Sequence, residues 1–314
     1  MYIRYLSVAV LLTMGFPSVA DCQQVQVTKT ELIALTPEWK GERFADGRPK
    51  VSDQLLQRMK SVSVEEAWAV MKSAGYAYQV AEGWEVINPD SVLVGRAVTA
   101  SFMPGRPDLW KAIDSAGKKE GKRGQNTWPV DLLVKGDVYV ADQFGAKRNG
   151  PTIGDNVGNA IYAKTGNGIV YDGALRDVAG LKEIGSFTSF YTSYDPSYHN
   201  PPGDLNTVIV GINKPTRIRT VTVMPGDVVL GKLGVVVFIP PQLAEKVVTT
   251  SEIVRLRDMF GHQRLREGTY TAGQIDTRWS DAIEKDFSKW LNDHISELPV
   301  AKEQIQEFLK DRTW

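Results

Sequence analysis

The stretch that decides the fold is residues 154–177, GDNVGNAIYAKTGNGIVYDGALRD. Its apolar spacing over Asn156–Lys164, followed by Gly166 and Gly168, predicts a helix, because glycine is common just past a helix end. The β-branched residues of Gly168–Tyr171 then predict a strand. A helix followed directly by a strand indicates an α/β fold.

Further β-branched stretches on both sides of this unit predict a mixed sheet. Helical periodicity occupies the two ends of the chain, over Thr30–Gly75, Ser251–Leu265 and Ser280–Ile295. The polar, lysine-rich stretch Met103–Val130 is predicted to be an insertion or an exposed loop. The other predicted strands are Ser91–Phe102, Asp137–Ala141, Phe187–Tyr191, Thr207–Gly211, Arg219–Val223 and Val235–Ile239.

Composition excludes several classes of function. The chain has 314 residues, with 37 Lys+Arg against 37 Asp+Glu, so it lacks the basic surplus that is typical of nucleic-acid binders. Its single cysteine and three histidines do not have zinc-ligand spacing. A metal would therefore be held by carboxylates and water, which favours Mg²⁺ or Mn²⁺.

Residues 1–20 have the pattern of a secretory signal peptide. Arg4 precedes an apolar run over Tyr5–Phe16, and the small residues Ser18–Ala20 form the predicted cleavage site. The run is shorter than the roughly 20 residues of a membrane span, so no stable membrane span is predicted. We expect cleavage after Ala20 and a periplasmic or secreted protein.

Cys22 raises the alternative of a lipoprotein. The residue before it is Asp21, whereas lipid attachment requires a small neutral residue there. An unmodified thiol near the new N-terminus is the favoured interpretation.

The same central stretch carries the candidate chemistry. Asp155 begins a helix after a glycine, and the free N–H groups at a helix start suit an anion. Arg176 can hold a carboxylate with two hydrogen bonds, and Asp177 offers the hard oxygen that Mg²⁺ prefers. These residues predict an anion pocket with a metal beside it. A simple surface ion pair between Arg176 and Asp177 is the alternative.

The spacing of Asp155, twenty residues and then Arg176-Asp177 resembles the D-x20-R-D signature of the RraA-like family. That family includes 4-hydroxy-4-methyl-2-oxoglutarate/4-carboxy-4-hydroxy-2-oxoadipate aldolases and regulators of ribonuclease E activity. The resemblance covers roughly residues 51–250. Other segments that resemble the family's are Gly95–Thr99, Gly136–Asp142, Gly168–Gly173 and Met224–Val229.

The resemblance implies a swivelling β/β/α-type fold with a mixed sheet, assembled as a homotrimer or a homohexamer with sites between subunits. The expected organisation is a signal peptide at 1–20, an N-terminal helical segment at 21–88, an RraA-like α/β core at 89–250 and a C-terminal helical extension at 251–314.

The resemblance also implies the roles of the site residues. Arg176 binds the pyruvyl carboxylate with the amides of Asn156 and Val157. Asp177 holds Mg²⁺ or Mn²⁺ largely through waters, and Asp155 orients a water or the substrate hydroxyl. The implied activity is metal-dependent cleavage of 4-hydroxy-2-oxo acids, a small-molecule class, to pyruvate, with oxaloacetate decarboxylation as a variant. The alternatives are a non-catalytic regulator that binds a protein and an enzyme for another keto acid or sugar acid.

Three features depart from the family pattern. Lys232 stands in the turn Leu230–Gly234 where the family usually has an acidic residue. The loop 194–202 is rich in aromatic residues and proline, and His199 within it is expected to be a loop residue rather than a substrate contact. Export is the third departure. A second acidic group near the metal is expected from a neighbouring subunit, with Glu252 and Asp258 as candidates.

Overall fold

The structure is a computed structural model that describes residues 24–148, 150–198 and 206–310. The predicted signal peptide, Cys22 and His199 lie outside the described residues. The helices are α1 (Lys29–Leu35), α2 (Asp53–Met59), α3 (Val64–Ser73), α4 (Pro107–Lys119), α5 (Trp128–Asp131), α6 (Asp155–Thr165), α7 (Val178–Lys182), α8 (Ala244–Arg266), α9 (Ala272–Ile275), α10 (Asp281–His294) and α11 (Lys302–Lys310). The strands are β1 (Val80–Ala81), β2 (Glu85–Ile87), β3 (Leu93–Pro104), β4 (Asp137–Ala146), β5 (Ile169–Leu175), β6 (Ser189–Tyr194), β7 (Thr207–Ile212), β8 (Thr216–Ile218), β9 (Val221–Val223), β10 (Val228–Lys232) and β11 (Val235–Ile239).

Within the described residues, nine strands form one mixed sheet in the order β1-β11-β10-β3-β4-β5-β6-β2, and β7 pairs with β3. The central strands β3, β4, β5 and β6 are parallel neighbours, whereas β10, β11 and the two edge strands pair antiparallel. The connections between parallel strands carry helices, as parallel pairing requires. This architecture confirms the predicted α/β fold with a mixed sheet.

The sheet curls so that its two edges approach each other. Edge strands β1 and β2 stand at opposite ends of the strand order, yet only residues 82–84 separate them along the chain. The concave face encloses a core that also receives the β8–β9 hairpin. Buried residues of this core include Val138, Val140, Val170, Phe190, Ile218 and Val223.

Helices cover the outer face of the sheet in two groups. Helices α2, α3 and α8 bury an apolar cluster against β10 and β11, and α4 to α7 cover β3, β4 and β5. Helix α6 buries Ile161 in the second cluster, beside Tyr139 and Tyr171 from the strands below. The second half of α8 forms a separate aromatic core with α9, α10 and α11.

A buried charge cluster fixes the N-terminal segment to the start of β4. The carboxylate of Asp137 is fully buried between two buried guanidinium groups, with Arg48 Nη2 at 3.2 Å and Arg96 Nε at 3.5 Å. Buried charges are tolerated only when they are paired in this way. The cluster therefore anchors residues preceding α2 to the same strand, β4, that leads toward the candidate site.

The prediction that Met103–Val130 is an exposed loop is wrong, whereas the alternative of an insertion stays a prediction. This stretch contains α4 and the start of α5, and Ile113 and Trp128 are buried in the main core. The basic residues Lys118 and Lys119 lie in the last turn of α4, where positive charge is favourable against the helix dipole. These two lysines thus reflect a helix end rather than a loop.

Several element boundaries differ from the predicted ones. Helix α8 begins at Ala244, seven residues before the predicted start at Ser251. The predicted strand Arg219–Val223 begins at Val221, because Arg219 has a φ of 56° and forms the turn of the β8–β9 hairpin. The domain boundaries proposed from the sequence stay predictions. No helix among residues 24–148, 150–198 and 206–310 is long and apolar enough to cross a membrane.

Candidate functional site

The loop before α6 delivers Asp155 to the first position of the helix. Gly154 is the N-cap residue, with φ −131° and ψ −168°, and its carbonyl accepts the N–H of Gly158 at 2.9 Å. The carboxylate of Asp155 accepts the N–H of Asn156 at 2.7 Å. An acidic residue here is favourable because the helix dipole is positive at this end.

The two amides predicted to bind a carboxylate therefore differ. The N–H of Asn156 already donates to Asp155, whereas within the described residues the N–H of Val157 has no acceptor. An incoming carboxylate can bind Val157 directly but must compete with Asp155 for Asn156.

Arg176 and Asp177 follow directly after β5. The backbone N–H of Arg176 donates to the carbonyl of Ile153 at 3.2 Å, which joins this strand end to the loop before α6. Asp177 has a φ of 53°, in the left-handed region. For a residue other than glycine this conformation costs about 1–2 kcal/mol, and such strain is concentrated at functional sites.

Gly154 lets the loop approach the Arg176-Asp177 pair closely. A Cβ at this position would lie 2.3 Å from Asp177 Oδ2 and 2.7 Å from Arg176 Nε. On the neighbouring helix, a Cβ at Gly180 would lie 2.9 Å from Asp155 Oδ2. The structure thus brings together Asp155, Arg176 and Asp177, the three residues that the sequence predicted to share a site.

The Arg176-Asp177 pair is open to solvent. Arg176 Nε lies 3.2 Å from Asp177 Oδ2, and the two side chains are 28% and 46% exposed. Within the described residues, no acceptor is hydrogen-bonded to the outer nitrogens of the guanidinium group. The fork of Arg176 is therefore free to bind a carboxylate with two parallel hydrogen bonds.

A divalent cation fits this site only in a mostly hydrated form. Among the described residues, no group of three or more His, Cys, Asp or Glu side chains is arranged to hold a metal ion. Asp177 offers a half-exposed carboxylate beside the anion site. Mg²⁺ keeps several waters and commonly uses one or two carboxylates, so Asp177 with water ligands fits Mg²⁺ or Mn²⁺.

The family model described as RraA-like, Aldolase/RraA, matches residues 49–237. The chain belongs to the RraA-like family. The family includes both aldolases and regulators, so membership does not decide between the two.

Two solved structures with the RraA-like fold are similar to this chain. An uncharacterized protein from Pseudomonas syringae pv. tomato str. DC3000 is 19% identical, with a TM-score of 0.57 over 72% of this chain and 98% of that one. RraAS2 of Streptomyces coelicolor, described as an unusual member of the RNase ES inhibitor RraA protein family, is 22% identical, with a TM-score of 0.52 over 70% of this chain and 97% of that one. These likenesses show the fold. No curated protein matches the chain.

The departure from the RraA-like pattern at Lys232 has a structural role. The Lys232 ammonium group donates to the carbonyl of Lys60 at 3.3 Å and to that of Val62 at 3.0 Å. These carbonyls lie between α2 and α3. The lysine thus holds the two helices against β10, and within the described residues it forms no hydrogen bond or ion pair with Arg176 or Asp177.

The candidates for a second acidic group lie on α8. Glu252 is buried and makes two hydrogen bonds to Arg58, at 2.8 and 2.7 Å. Asp258 is exposed. Within the described residues of one chain, neither forms a hydrogen bond or an ion pair with Arg176 or Asp177, so a role near the metal stays a prediction.

Sequence reasoning missed a second charged cluster, on the concave face of the sheet. Asp142 and Asp172 are paired neighbours on β4 and β5. Arg217 lies 3.6 Å from Asp142, and Arg219 lies 3.6 Å from Asp172. Burial raises the pKa of Asp142, and the neighbouring Asp172 adds to that effect. No sequence signal links these residues, because they meet only through strand pairing and the β8–β9 hairpin.

Proposed function

We propose that this chain is a divalent-metal-dependent lyase that cleaves 4-hydroxy-2-oxo acids to pyruvate, with 4-hydroxy-4-methyl-2-oxoglutarate as the representative substrate. Oxaloacetate decarboxylation is proposed as a related activity of the same site. The observation that carries the proposal is the open guanidinium fork of Arg176 beside the half-exposed carboxylate of Asp177. A 2-oxo acid presents the matching groups, a carboxylate next to a keto oxygen.

Arg176 would bind the substrate carboxylate through the two outer nitrogens of its guanidinium group. The free N–H of Val157 at the start of α6 would add a hydrogen bond and the positive end of the helix dipole. This orientation directs the keto oxygen toward Asp177.

Asp177 would hold Mg²⁺ or Mn²⁺ through waters. When bound, the cation supplies positive charge at the keto oxygen and lowers the energy of the enolate that bond cleavage leaves. Cleavage breaks the C3–C4 bond, its electron pair stays with the pyruvyl fragment, and the C4 hydroxyl loses its proton as C4 becomes a carbonyl carbon.

Asp155 would manage protons in this reaction. Its carboxylate lies at the start of α6 and is partly exposed, so it can orient a water or the C4 hydroxyl. A water held there can accept the hydroxyl proton, and C3 of the enolate takes up a proton to give pyruvate.

We further propose that the active assembly is a homotrimer or a homohexamer and that a neighbouring subunit completes the site. In support, no group of three or more metal-ligating side chains forms among the described residues of one chain, which leaves ligand positions for a neighbouring subunit. Sedimentation of the purified protein tests it, because a monomer that remains fully active would contradict it.

The site is tested by separating its two halves. Arg176→Lys keeps the positive charge but loses the planar fork, so the affinity for oxalate should weaken by roughly 1.5–3 kcal/mol. Asp177→Asn should instead raise the Mg²⁺ concentration needed for activity and lower kcat. Calorimetry with oxalate and rates against Mg²⁺ concentration measure both effects.

A matched control is the exposed ion pair of Arg106 and Asp108, whose Nε–Oδ1 distance is 2.8 Å. Arg106→Lys and Asp108→Asn should change neither measurement. If the variants at Arg176 and Asp177 behave like these controls, the pair is structural, and the regulator interpretation becomes the better one.

A further inference from the structure

Three buried polar side chains hold the loop Gly150–Gly154, which leads into α6. They are Gln143 on β4, Thr152 in the loop itself and Tyr171 on β5, with exposures of 1%, 3% and 0%. We call these three residues the loop clamp. None of them was indicated by the sequence motif of the site.

Hydrogen bonds connect the residues of the loop clamp in a chain with a single donor direction. The N–H of Thr152 donates to the hydroxyl of Tyr171 at 3.2 Å, and the two hydroxyl oxygens are 2.6 Å apart. The hydroxyl of Thr152 donates to Gln143 Oε1 at 3.1 Å. Since that proton is committed to Gln143, Tyr171 must donate to Thr152.

Three further hydrogen bonds hold the same loop. Gln143 Nε2 donates to the carbonyl of Gly150 at 3.3 Å, and the N–H of Gly150 donates to Ser197 Oγ at 2.8 Å. The carbonyl of Thr152 accepts from Asn126 Nδ2 at 3.1 Å. The loop is therefore fixed at both Gly150 and Thr152 before it reaches the site.

The loop clamp affects the site because Ile153 and Gly154, the two residues after Thr152, contact Arg176 and Asp177 there. Ile153 accepts the N–H of Arg176, and Gly154 lies against Arg176 and Asp177. A shift of Thr152 would move the start of α6 relative to the guanidinium fork. Buried, fully connected polar groups are rigid because leaving any one of them unpaired is costly.

We propose that the loop clamp is a positioning device for anion binding, in which Tyr171, Thr152 and Gln143 hold the free N–H of Val157 at the correct distance from Arg176. This inference rests on the proposed function for its ligand, a 2-oxo acid carboxylate. The clamp residues do not touch the substrate, and their effect is on affinity rather than on the chemical step.

The structure supplies a matched control on the neighbouring strand. Tyr139 lies in the same core as Tyr171 and is 1% exposed, and its hydroxyl has no hydrogen-bond partner among the described residues. Tyr139→Phe and Tyr171→Phe thus each remove one buried phenol hydroxyl, but only the second removes a contact to the loop.

The experiment measures oxalate affinity by calorimetry, in the presence of Mg²⁺, for the full chain and its variants. Tyr171→Phe and Thr152→Val should each weaken binding about three- to tenfold, the scale of one hydrogen bond. Thr152→Ser keeps the hydroxyl and should recover most of the loss seen in Thr152→Val, and Tyr139→Phe should bind like the wild type. With substrate, KM should rise while kcat changes little.

Amide hydrogen exchange over residues 152–158 gives a readout that does not need a ligand. These amides should exchange faster in Tyr171→Phe than in Tyr139→Phe. If the two variants exchange alike and Tyr171→Phe binds oxalate like the wild type, the positioning inference is overturned. If the exchange differs as expected but wild-type protein does not bind oxalate, the clamp stands and the proposed function fails instead.

Discussion

The carbonyl of Ile153 accepts the backbone N–H of Arg176 at 3.2 Å. This bond connects the loop that carries Asp155 with the strand end that carries Arg176-Asp177, although 22 residues separate the two partners in the sequence. The bond thus holds the start of α6 close to the backbone of Arg176, and recognition of a small carboxylate requires such fixed placement of its binding groups.

Gly154→Ala tests the close approach at the site. The backbone at Gly154 is extended and accepts alanine, but the new Cβ would overlap Asp177 Oδ2 and Arg176 Nε. We expect catalytic efficiency to fall on the order of 10²-fold, as for a misplacement of about 1 Å. Gly273→Ala, where a Cβ meets nothing within 4 Å, is the control in the same activity assay. Equal activity of the two variants would contradict the described packing.

Trp128→Ala tests whether the stretch 103–130 packs into the main core through Trp128. Trp128 is 5% exposed and packs in the main apolar cluster, so its truncation should lower the free energy of unfolding by about 3–5 kcal/mol. Trp68→Ala on α3 is the control, because Trp68 is 40% exposed and should cost less than about 1.5 kcal/mol. Urea denaturation measures both changes. A small loss at Trp128 would restore the loop interpretation.

The pH dependence of stability should carry the signature of Asp227. Burial raises the pKa of Asp227 to about 7, although the N–H of Met224 donates to its carboxylate and opposes the change. In the unfolded chain the pKa is about 3.9. Between roughly pH 4 and pH 7 the folded state therefore binds more protons than the unfolded state, so this group lowers stability as pH rises and has no further effect above about pH 7.

Asp227→Asn removes that titration while the amide oxygen can still accept from Met224. The unfolding free energy of the variant relative to the wild type should rise by roughly 2–4 kcal/mol between pH 4 and pH 8. Thermal or urea unfolding at both pH values measures the difference. Parallel pH profiles for the two proteins would show that folding does not raise the pKa of Asp227, which would contradict the prediction.

Export is a prediction that the described residues do not test. Residues 1–20 have the order of a cleavable signal, so the mature chain should begin at Asp21 and fractionate with the periplasm. N-terminal sequencing of the abundant species measures this. Recovery of Met1 on that species would show that the signal is not cleaved and would contradict the predicted export.

Local sequence signals predict those elements whose ends are set by residues next to them in the sequence. The sequence predicts helix α6 over Asn156–Lys164, and the observed helix spans Asp155–Thr165. The predicted end is nearly right because Gly166 adopts the left-handed conformation that ends a helix. The strands β1 and β2 were missed, since Val80 pairs with Val237 and Glu85 with Tyr191. Strands of two or three residues show no period, and their formation depends on distant partners.

The candidate site divides in the same way. Asp155, Arg176 and Asp177 were found from their spacing, and the structure brings them together. Spacing in the sequence could not identify Thr152 and Tyr171 as site residues, because a threonine in a loop and a tyrosine in a strand are common. Their pairing depends on the exact path of the loop, which is a property of the tertiary structure.

The most direct test of the proposed lyase activity is pyruvate release from 4-hydroxy-4-methyl-2-oxoglutarate and from oxaloacetate, with Mg²⁺ and after exhaustive chelation. The proposal predicts pyruvate from at least the first substrate, loss of the activity on chelation, and recovery when Mg²⁺ or Mn²⁺ is restored. Arg176→Lys assayed in parallel should lose most of the activity at low substrate concentration. Activity that survives chelation, or no pyruvate from either substrate with Mg²⁺ present, would contradict the proposed metal-dependent lyase.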